Sequence, residues 1–190
     1  MSSPAVPWVS PEEYLERERT ASWKSEYVCG EIVAMAGGSV PHSLIINNAQ
    51  FVLTLRLQDK PGFVFNSDLR VSVRWRELIT YPDVTVLCSP PEYVDDKRDV
   101  IKNPTMIIEV LSPSTKAFDR GEKSKLYRSL ASLQEYLLIE PEPVDIEHWR
   151  RLSGGTWEVT AVREPDAILR LSSVGCEVAV AEIYRKVELL

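Results

Sequence analysis

Two acidic residues interrupt apolar segments in the middle of the 190-residue chain. Asp83 directly precedes the apolar run Val84–Cys88, and Glu109 lies within the run Met106–Leu111. A carboxylate in a buried strand is unfavourable unless it is paired, hydrogen-bonded or bound to a cation. One interpretation places each acid at a solvated or Arg-paired strand end. The other places both at one edge of a sheet, where two oxygen ligands with open coordination positions suit Mg²⁺ or Mn²⁺ beside a substrate phosphate.

A lysine near these acids would complete a site for phosphate chemistry. Lys123 and Lys125 follow the Glu109 segment in a predicted helix, and they point in different directions because each helical residue turns by about 100°. Lys123 shares its face with Asp119 and Tyr127, which lie four residues to either side. The lysine that faces the sheet would hold a water molecule or stabilise the charge that develops on a phosphorane. The alternative is a solvated lysine on an amphipathic helix.

Local sequence patterns predict the helices and strands that position Asp83, Glu109 and Lys123. N-terminal capping patterns predict helices that begin at Ser10, at Ser39 and at Asp119, with Asp119 as the N-cap of a helix to about Ala131. Apolar runs and alternating patterns predict strands: a hairpin over Glu26–Ala36, one strand formed by Phe63–Asn66 and Leu69–Trp75, the runs Val84–Cys88 and Met106–Leu111, the strand Glu135–Ile139, and a hairpin formed by Asp145–Arg150 and Trp157–Val162. The mixed order of elements predicts an α/β or α+β fold with a central mixed sheet flanked by helices.

Arginines on one of these strands are candidates for phosphate contacts. Arg70 and Arg74 alternate with apolar residues, which predicts a half-buried strand with a basic, solvated face. Together with Lys125 they are the candidate ligands for substrate phosphates. A basic face that is merely solvated explains the same pattern.

An ordered series of motifs resembles the Uma2 family, which belongs to the PD-(D/E)xK restriction-endonuclease-like superfamily. The motifs are Tyr81-Pro82-Asp83, the segment Ile108–Thr115, the segment Asp119–Lys123 with Tyr127 after it, Gln134–Ile139, and an N-terminal set with Glu26, Gly30-Glu31, Met35–Gly38 and His42. Any one of these motifs is weak, whereas their order along the chain is fairly specific. The resemblance covers about residues 10–150.

The resemblance implies a restriction-endonuclease-like fold with a metal-dependent phosphodiesterase site. Asp83 and Glu109 would bind the cation, Mg²⁺ or Mn²⁺, and Lys123 would be the catalytic lysine. The chain departs from the plain (D/E)xK signature, because Leu111 stands two residues after Glu109, where that signature has its lysine. The family pattern instead places its lysine on the following helix, at Lys123.

Four further residues are supporting candidates by the same resemblance. Glu26 and Glu31 flank Gly30, and either would supply a third acid, with Glu26 matching the family better. His42 would contact a phosphate or a water near the cleft, although a capping or surface histidine fits the sequence equally. Tyr127 belongs to the motif that carries the lysine.

These observations predict a single Uma2-like nuclease domain over residues 1–190, with a core of about 10–150 and a C-terminal hairpin and terminal segment over 151–190. The leading functional hypothesis is a Mg²⁺-dependent DNA endonuclease. The alternatives are a catalytically degenerate module of the same fold that binds nucleic acid or protein, and a phosphodiesterase that acts on RNA or nucleotides. The resemblance also implies a homodimer.

Composition and charge indicate which partners and which cellular location to expect for this protein. The formal net charge of −6 opposes nucleic-acid binding, but residues 131–190 carry 6 basic and 11 acidic side chains, against 11 and 10 in residues 61–130. We therefore expect weak, salt-sensitive DNA affinity. Three cysteines without C-x-x-C spacing predict no disulfide framework and a reducing compartment. No apolar run is long enough to span a membrane and no secretory signal is visible, so the expected location is cytoplasmic.

Overall fold

A computed structural model describes residues 8–187 of the chain. Its helices are α1 (Pro11–Glu18), α2 (Val40–Leu57), α3 (Lys116–Phe118), α4 (Ser124–Arg128) and α5 (Val180–Ile183), and a π-helical segment, Asp119–Lys123, joins α3 to α4. Its strands are β1 (Ser25–Val28), β2 (Glu31–Ala34), β3 (Phe63–Asn66), β4 (Arg70–Arg74), β5 (Leu78–Thr80), β6 (Val84–Leu87), β7 (Val100–Ile101), β8 (Met106–Val110), β9 (Glu135–Glu140), β10 (Asp145–Arg151), β11 (Trp157–Val162), β12 (Ile168–Leu171) and β13 (Cys176–Ala179). None of the described helices is long and apolar enough to span a membrane.

The strands form two larger sheets and a hairpin. The large sheet has the order β11-β10-β9-β8-β6-β3, the small sheet has the order β2-β1-β5-β4-β7, and β12 pairs with β13. In the large sheet β8 runs antiparallel to β6 and parallel to β9, so the sheet is mixed. The predicted mixed sheet flanked by helices is therefore confirmed, and a second sheet is added to it.

The central strand β8 is buried on both faces. Met106, Ile108 and Val110 pack into one apolar core with residues of α2 and α5. Ile107, with Leu111 just beyond the strand, packs into a second core on the other face. Both faces are covered, which explains why this strand reads as a continuous apolar run in the sequence.

The first two predicted helix starts are confirmed. The Ser10 hydroxyl accepts a hydrogen bond from the Glu13 backbone N–H at 3.1 Å, and the Ser39 hydroxyl accepts one from the His42 N–H at 3.3 Å. Each bond satisfies a backbone donor that has no partner within the helix. A proline follows each of these serines within two residues, where the missing N–H does no harm.

The prediction of one strand from Phe63 to Trp75 is wrong. Its first half is β3, at an edge of the large sheet, and its second half is β4, within the small sheet. Between the two halves the Asn66 side-chain carbonyl accepts a hydrogen bond from the Asp68 N–H at 3.0 Å, which closes a local turn. Asparagine favours such turns, so the polar residues between the apolar halves separate two strands.

The predicted basic, solvated face on this segment is also wrong for Arg70. Its side chain is buried, its guanidinium lies 3.0 Å from the Asp99 carboxylate, and it stacks over the Tyr81 ring. The cause is β7, which directly follows Asp99 and pairs parallel with β4. Arg74, in contrast, is 57% exposed and lies 3.5 Å from Glu77.

The helix predicted to begin at Asp119 begins earlier. Thr115 is the N-cap residue, α3 starts at Lys116, and the Asp119 N–H already donates a helical hydrogen bond to the Thr115 carbonyl at 2.9 Å. Asp119 therefore lies inside the helical segment with its carboxylate buried, and the role of N-cap predicted for it is wrong. The helical segment ends at Arg128 rather than at about Ala131.

A buried carboxylate fastens the C-terminal hairpin to the large sheet. Glu135, on β9, accepts hydrogen bonds from the backbone N–H groups of Ser172 and Ser173 at 3.1 Å each and from the Ser173 hydroxyl. The His148 ring lies 3.2 Å from the same carboxylate. Although burial opposes it, these contacts lower the pKa of Glu135 below its ordinary value.

We expect Glu135→Gln to reduce the free energy of unfolding by about 2 kcal/mol at neutral pH, because one amide cannot accept from all of these donors. A carboxyl group with a lowered pKa stabilises the fold above its unfolded pKa and loses this contribution as pH falls through the folded value. The difference between variant and parent should therefore shrink in acid. Urea unfolding measures it, and Glu158→Gln, in an exposed pair with Arg150, is the control. Equal stability of the two variants at neutral pH would contradict the prediction.

Candidate active site

Strand pairing brings Asp83 and Glu109 together. Val84 of β6 lies opposite Ile108 of β8, so the residues just outside this pair, Asp83 and Glu109, are also opposite each other. The Val110 N–H donates a hydrogen bond to Oδ2 of Asp83 at 2.7 Å, and the Asp83 N–H lies 3.4 Å from Oε2 of Glu109. The backbone of each strand therefore holds the carboxylate of the other.

The Lys123 ammonium group lies at the centre of an acidic cluster. Its Nζ is 2.8 Å from Oε1 of Glu26, 3.0 Å from Oε1 of Glu109 and 3.7 Å from Oδ1 of Asp119. The Lys123 side chain is only 7% exposed. A lysine is almost never buried to this degree without acidic partners, and here the partners come from β1, from β8 and from the π-helical segment.

The π-helical segment is the element that delivers Lys123. Such segments are rare and frequently occur at functional sites. Leu111, two residues after Glu109, packs in the apolar core that also contains Tyr127. The position that holds lysine in the plain (D/E)xK signature is thus part of the apolar core. The ammonium group of Lys123 reaches Glu109 from the π-helical segment instead.

Two hydroxyl groups complete the cluster. The Tyr127 hydroxyl donates a hydrogen bond to Oε1 of Glu109 at 2.7 Å, and the Thr80 hydroxyl donates one to Oε1 of Glu26. These bonds fix the rotamers of the two glutamates that contact Lys123. Burial and the nearby Glu109 charge raise the pKa of Tyr127 well above its ordinary value, so the phenol stays a donor.

His42, at the beginning of α2, lies beside Asp83. Its Nε2 is 3.8 Å from Oδ2 of Asp83, and burial lowers the pKa of the ring, so the imidazole is neutral at neutral pH. Gly38 makes room for it: a Cβ at residue 38 would lie 2.3 Å from Nδ1 of His42. Any larger residue at position 38 would displace the ring.

Asp83, Glu109 and Asp119 hold their protons more tightly than free carboxyl groups. Burial raises the pKa of Asp83 to about 6 and that of Glu109 to about 8, and it also raises the pKa of Asp119. The pKa of Lys123 is raised well above its ordinary value, because Glu109 and Glu26 outweigh the opposing effect of burial. The cluster therefore contains more acidic groups than one ammonium group can balance.

The donor set of this cluster fits a hard divalent cation. Asp83 and Glu109 present oxygen ligands from adjacent strands, and a cation there would remove the unfavourable burial of two like charges. Within residues 8–187, no three His, Cys, Asp or Glu side chains converge as metal ligands. Two carboxylates with the remaining positions left to water or substrate is the arrangement that Mg²⁺ commonly takes.

A cavity of about 440 Å³ opens over the cluster. Glu26, His42, Asp83, Glu109 and Lys123 all contribute to its lining, and Glu31 contributes to it as an exposed residue that makes no ion pair within residues 8–187. The remaining lining comes mainly from β2, the Gly37-Gly38 segment and the Ser112–Asp119 segment.

The three predicted phosphate contacts do not line this cavity. Arg70 is held by Asp99, Arg74 is exposed beside Glu77, and Lys125 is 69% exposed with Glu122 at 3.5 Å. All three lie outside the cavity lining.

The sequence patterns do not predict that Asp119 and Thr80 belong to the cluster. The spacing of four residues places Asp119 and Lys123 on one helix face, which is a signal that the two side chains meet. The same aspartate also fits the pattern of an N-cap residue, and that interpretation hides the pairing. Thr80 gave no signal, because a threonine in a short apolar strand is unremarkable until Glu26 is placed beside it by the pairing of β1 with β5.

Lys123→Met should leave the acids buried without their cation, and we expect the free energy of unfolding at about pH 8 without divalent ions to fall by about 3 kcal/mol. A carboxyl group whose pKa is raised by folding contributes stability below its unfolded pKa and loses it as pH rises through the folded value. The variant should therefore recover stability towards about pH 5, where Asp83 and Glu109 are protonated.

Chemical unfolding between these two pH values measures the effect. Lys125→Met is the matched control, because the same substitution at an exposed position should change the free energy of unfolding by less than about 0.5 kcal/mol. Equal effects of the two substitutions would refute the central place of Lys123.

Comparison with known proteins confirms the resemblance. The sequence profile of the Uma2 family, described as "Putative restriction endonuclease", matches residues 11–181. Two uncharacterized Synechocystis sp. proteins are similar: sll1609 is 36% identical over 160 residues (84% of this chain and 90% of that protein), and slr1290 is 38% identical over 185 residues (96% of each). A crystal structure from Anabaena variabilis, titled a putative nuclease belonging to DUF820, shares the fold, with a TM-score of 0.77 at 20% identity over 94% of this chain and 99% of that one. Because the profile spans most of the chain, the protein is a member of the nuclease-like Uma2 family.

Proposed function

We propose that the protein is a metal-dependent endonuclease that hydrolyses phosphodiester bonds of DNA. The observation that carries this proposal is the pairing of the half-buried Asp83 carboxylate with the buried Glu109 carboxylate across adjacent strands, with the Lys123 ammonium group beside them. This arrangement suits a hydrolysis in which a water oxygen attacks phosphorus and loses a proton to solvent. The bond from phosphorus to the leaving oxygen breaks, and that oxygen takes up a proton from solvent. Membership of the Uma2 family supports the same class of chemistry.

Asp83 and Glu109 are the residues that would hold Mg²⁺ or Mn²⁺. When bound, such a cation polarises a phosphoryl oxygen and lowers the pKa of a bound water. Tyr127 orients the Glu109 carboxylate through its hydrogen bond, and the Val110 N–H orients that of Asp83. Carboxylates held in this way need little rearrangement when they bind a ligand.

Lys123 acts as a fixed positive charge. Its pKa is raised, so it keeps its proton and does not act as the base that removes a proton from water. Its role is to stabilise negative charge that develops on the phosphoryl oxygens during attack. Glu26, held in turn by Thr80, keeps the ammonium group beside Glu109.

DNA as the partner and a homodimer as the assembly belong to the same proposal. A dimer with two-fold symmetry would carry two copies of the site, and most soluble homo-oligomers have this symmetry. The acidic net charge of −6 predicts weak affinity for DNA. Light scattering in solution tests the assembly independently of activity.

One observation favours a second candidate, a module that binds nucleic acid or protein without cleaving it. The Lys123 ammonium group contacts Glu26 and Glu109, so its charge is already neutralised within the chain. Such an ion-paired lysine would serve stability alone in a degenerate site. Binding of a divalent cation separates the two candidates, because a module without catalysis has no need of it.

We expect purified protein to nick plasmid DNA with Mg²⁺ or Mn²⁺ and to lose this activity with a chelator. Asp83→Asn and Glu109→Gln should each lower the rate about 100-fold or more, because each removes one of two anionic ligands. Gel electrophoresis measures the nicking, and calorimetric titration with Mn²⁺ should show that both variants also lose cation binding.

Asp68→Asn is the matched control, because it neutralises an exposed acid that pairs with Lys24 outside the cavity. It should retain the parent rate. Cleavage that survives both Asp83→Asn and Glu109→Gln would refute the assignment, and a parent protein that neither binds Mn²⁺ nor cleaves nucleic acid would favour the binding module.

A further inference from the structure

One wall of the cavity over the acidic cluster is apolar and exposed. Strand β2 forms the edge of the small sheet, and its described side chains are all exposed. Val33 is 45% exposed and Met35, just after the strand, is 36% exposed, and both contribute to the lining of the cavity. Phe118, a half-buried residue of α3, contributes to the same lining. Exposed apolar side chains grouped at a cavity are typical of a surface that binds a ligand.

The charged residues of the lining are mostly acidic, which is unusual for a site that binds a nucleic-acid backbone. It contains five acids, which are Glu26, Glu31, Asp83, Glu109 and Asp119. Among the described lining residues Lys123 is the only lysine or arginine, and acids of the cluster surround it. Beyond the Lys123 charge assigned to the scissile phosphate, the neighbouring phosphates would therefore meet carboxylates and no further lysine or arginine of the described lining.

Duplex DNA is a poor match for such a lining. A duplex carries one negative charge for about every 1.7 Å of its axis, and proteins that bind it neutralise several phosphates with lysine and arginine. Within a duplex the faces of the bases are also stacked on one another, so they cannot contact an apolar wall. Neither the charge nor the apolar surface of this cavity suits an intact double helix.

An unstacked nucleotide matches both features. Its base presents an apolar face that packs against side chains without regard to sequence, as bases do in proteins that bind single strands. Its backbone can leave the cavity in a direction that keeps neighbouring phosphates away from the acids. The cavity volume of about 440 Å³ lies in the range of pockets that hold one small molecule, about 300–1,000 Å³.

We propose that the site acts on single-stranded DNA, or on a frayed duplex end, with one unstacked base against Val33, Met35 and Phe118 while the adjoining phosphodiester lies at Asp83 and Glu109. This inference rests on the proposed function and names its substrate class. Substrate selection then depends on the β2 wall, a part of the molecule separate from the carboxylates that would hold the cation.

The test compares a single-stranded oligonucleotide with the same strand annealed to its complement, in Mn²⁺. We expect kcat/KM to be about tenfold or more higher for the single strand, because the duplex must first unstack a base. Val33→Gln should raise KM for the single strand about fivefold or more, because it replaces an apolar contact to the base with a polar one. Calorimetric Mn²⁺ affinity should not change, since Asp83 and Glu109, which would hold the cation, belong to the large sheet rather than to β2.

Ile32→Gln is the matched control. It makes the same kind of change on the neighbouring residue of β2, which is 38% exposed and does not line the cavity, so KM should stay at the parent value. Equal KM effects of the two substitutions, or cleavage of the duplex as fast as of the single strand, would overturn the inference and leave the nuclease assignment standing. Cleavage of neither form, with Mn²⁺ bound, would overturn the nuclease assignment and this inference together.

Discussion

The structure depends most on one buried ion cluster, in which the Lys123 ammonium group contacts carboxylates from three separate elements. Glu26 comes from the small sheet, Glu109 from the large sheet, and Asp119 from the helical segment that carries the lysine. A buried charge without partners is strongly destabilising, so these three elements must meet correctly for the fold to be stable. The same contacts that hold the two sheets together also build the candidate active site.

The cluster contains more acidic groups than basic groups, and this excess indicates what the site is for. One ammonium group and a neutral imidazole face three buried acids, Glu26, Glu109 and Asp119, and the half-buried Asp83. Burial raises the pKa of Asp83 and of Glu109. A site meant only for stability would be expected to pair its charges or to replace them with apolar residues. An excess of carboxylates in a cavity is a recognised feature of functional sites, where stability is lost in favour of ligand binding.

The cavity over the cluster combines two surfaces of different origin. The acids come from paired strands inside the molecule, where backbone hydrogen bonds hold their side chains. The apolar wall comes from the edge strand β2, which has solvent on its outer side. With the function proposed above, a division of this kind would allow the chemistry to remain the same while the edge strand changes the substrate that is accepted.

The sequence by itself determined the fold class, the family and the residues worth testing, because buried acids, capping serines and ordered motifs are local signals. Tertiary structure alone decided how these residues meet. Strand pairing placed Asp83 opposite Glu109, a π-helical segment turned Lys123 inward, and pairing with β7 removed Arg70 from solvent. The helical start at Thr115, four residues earlier than predicted, put Asp119 into the cluster. Burial and distance between residues far apart in the chain are properties of the packed molecule, and no local pattern contains them.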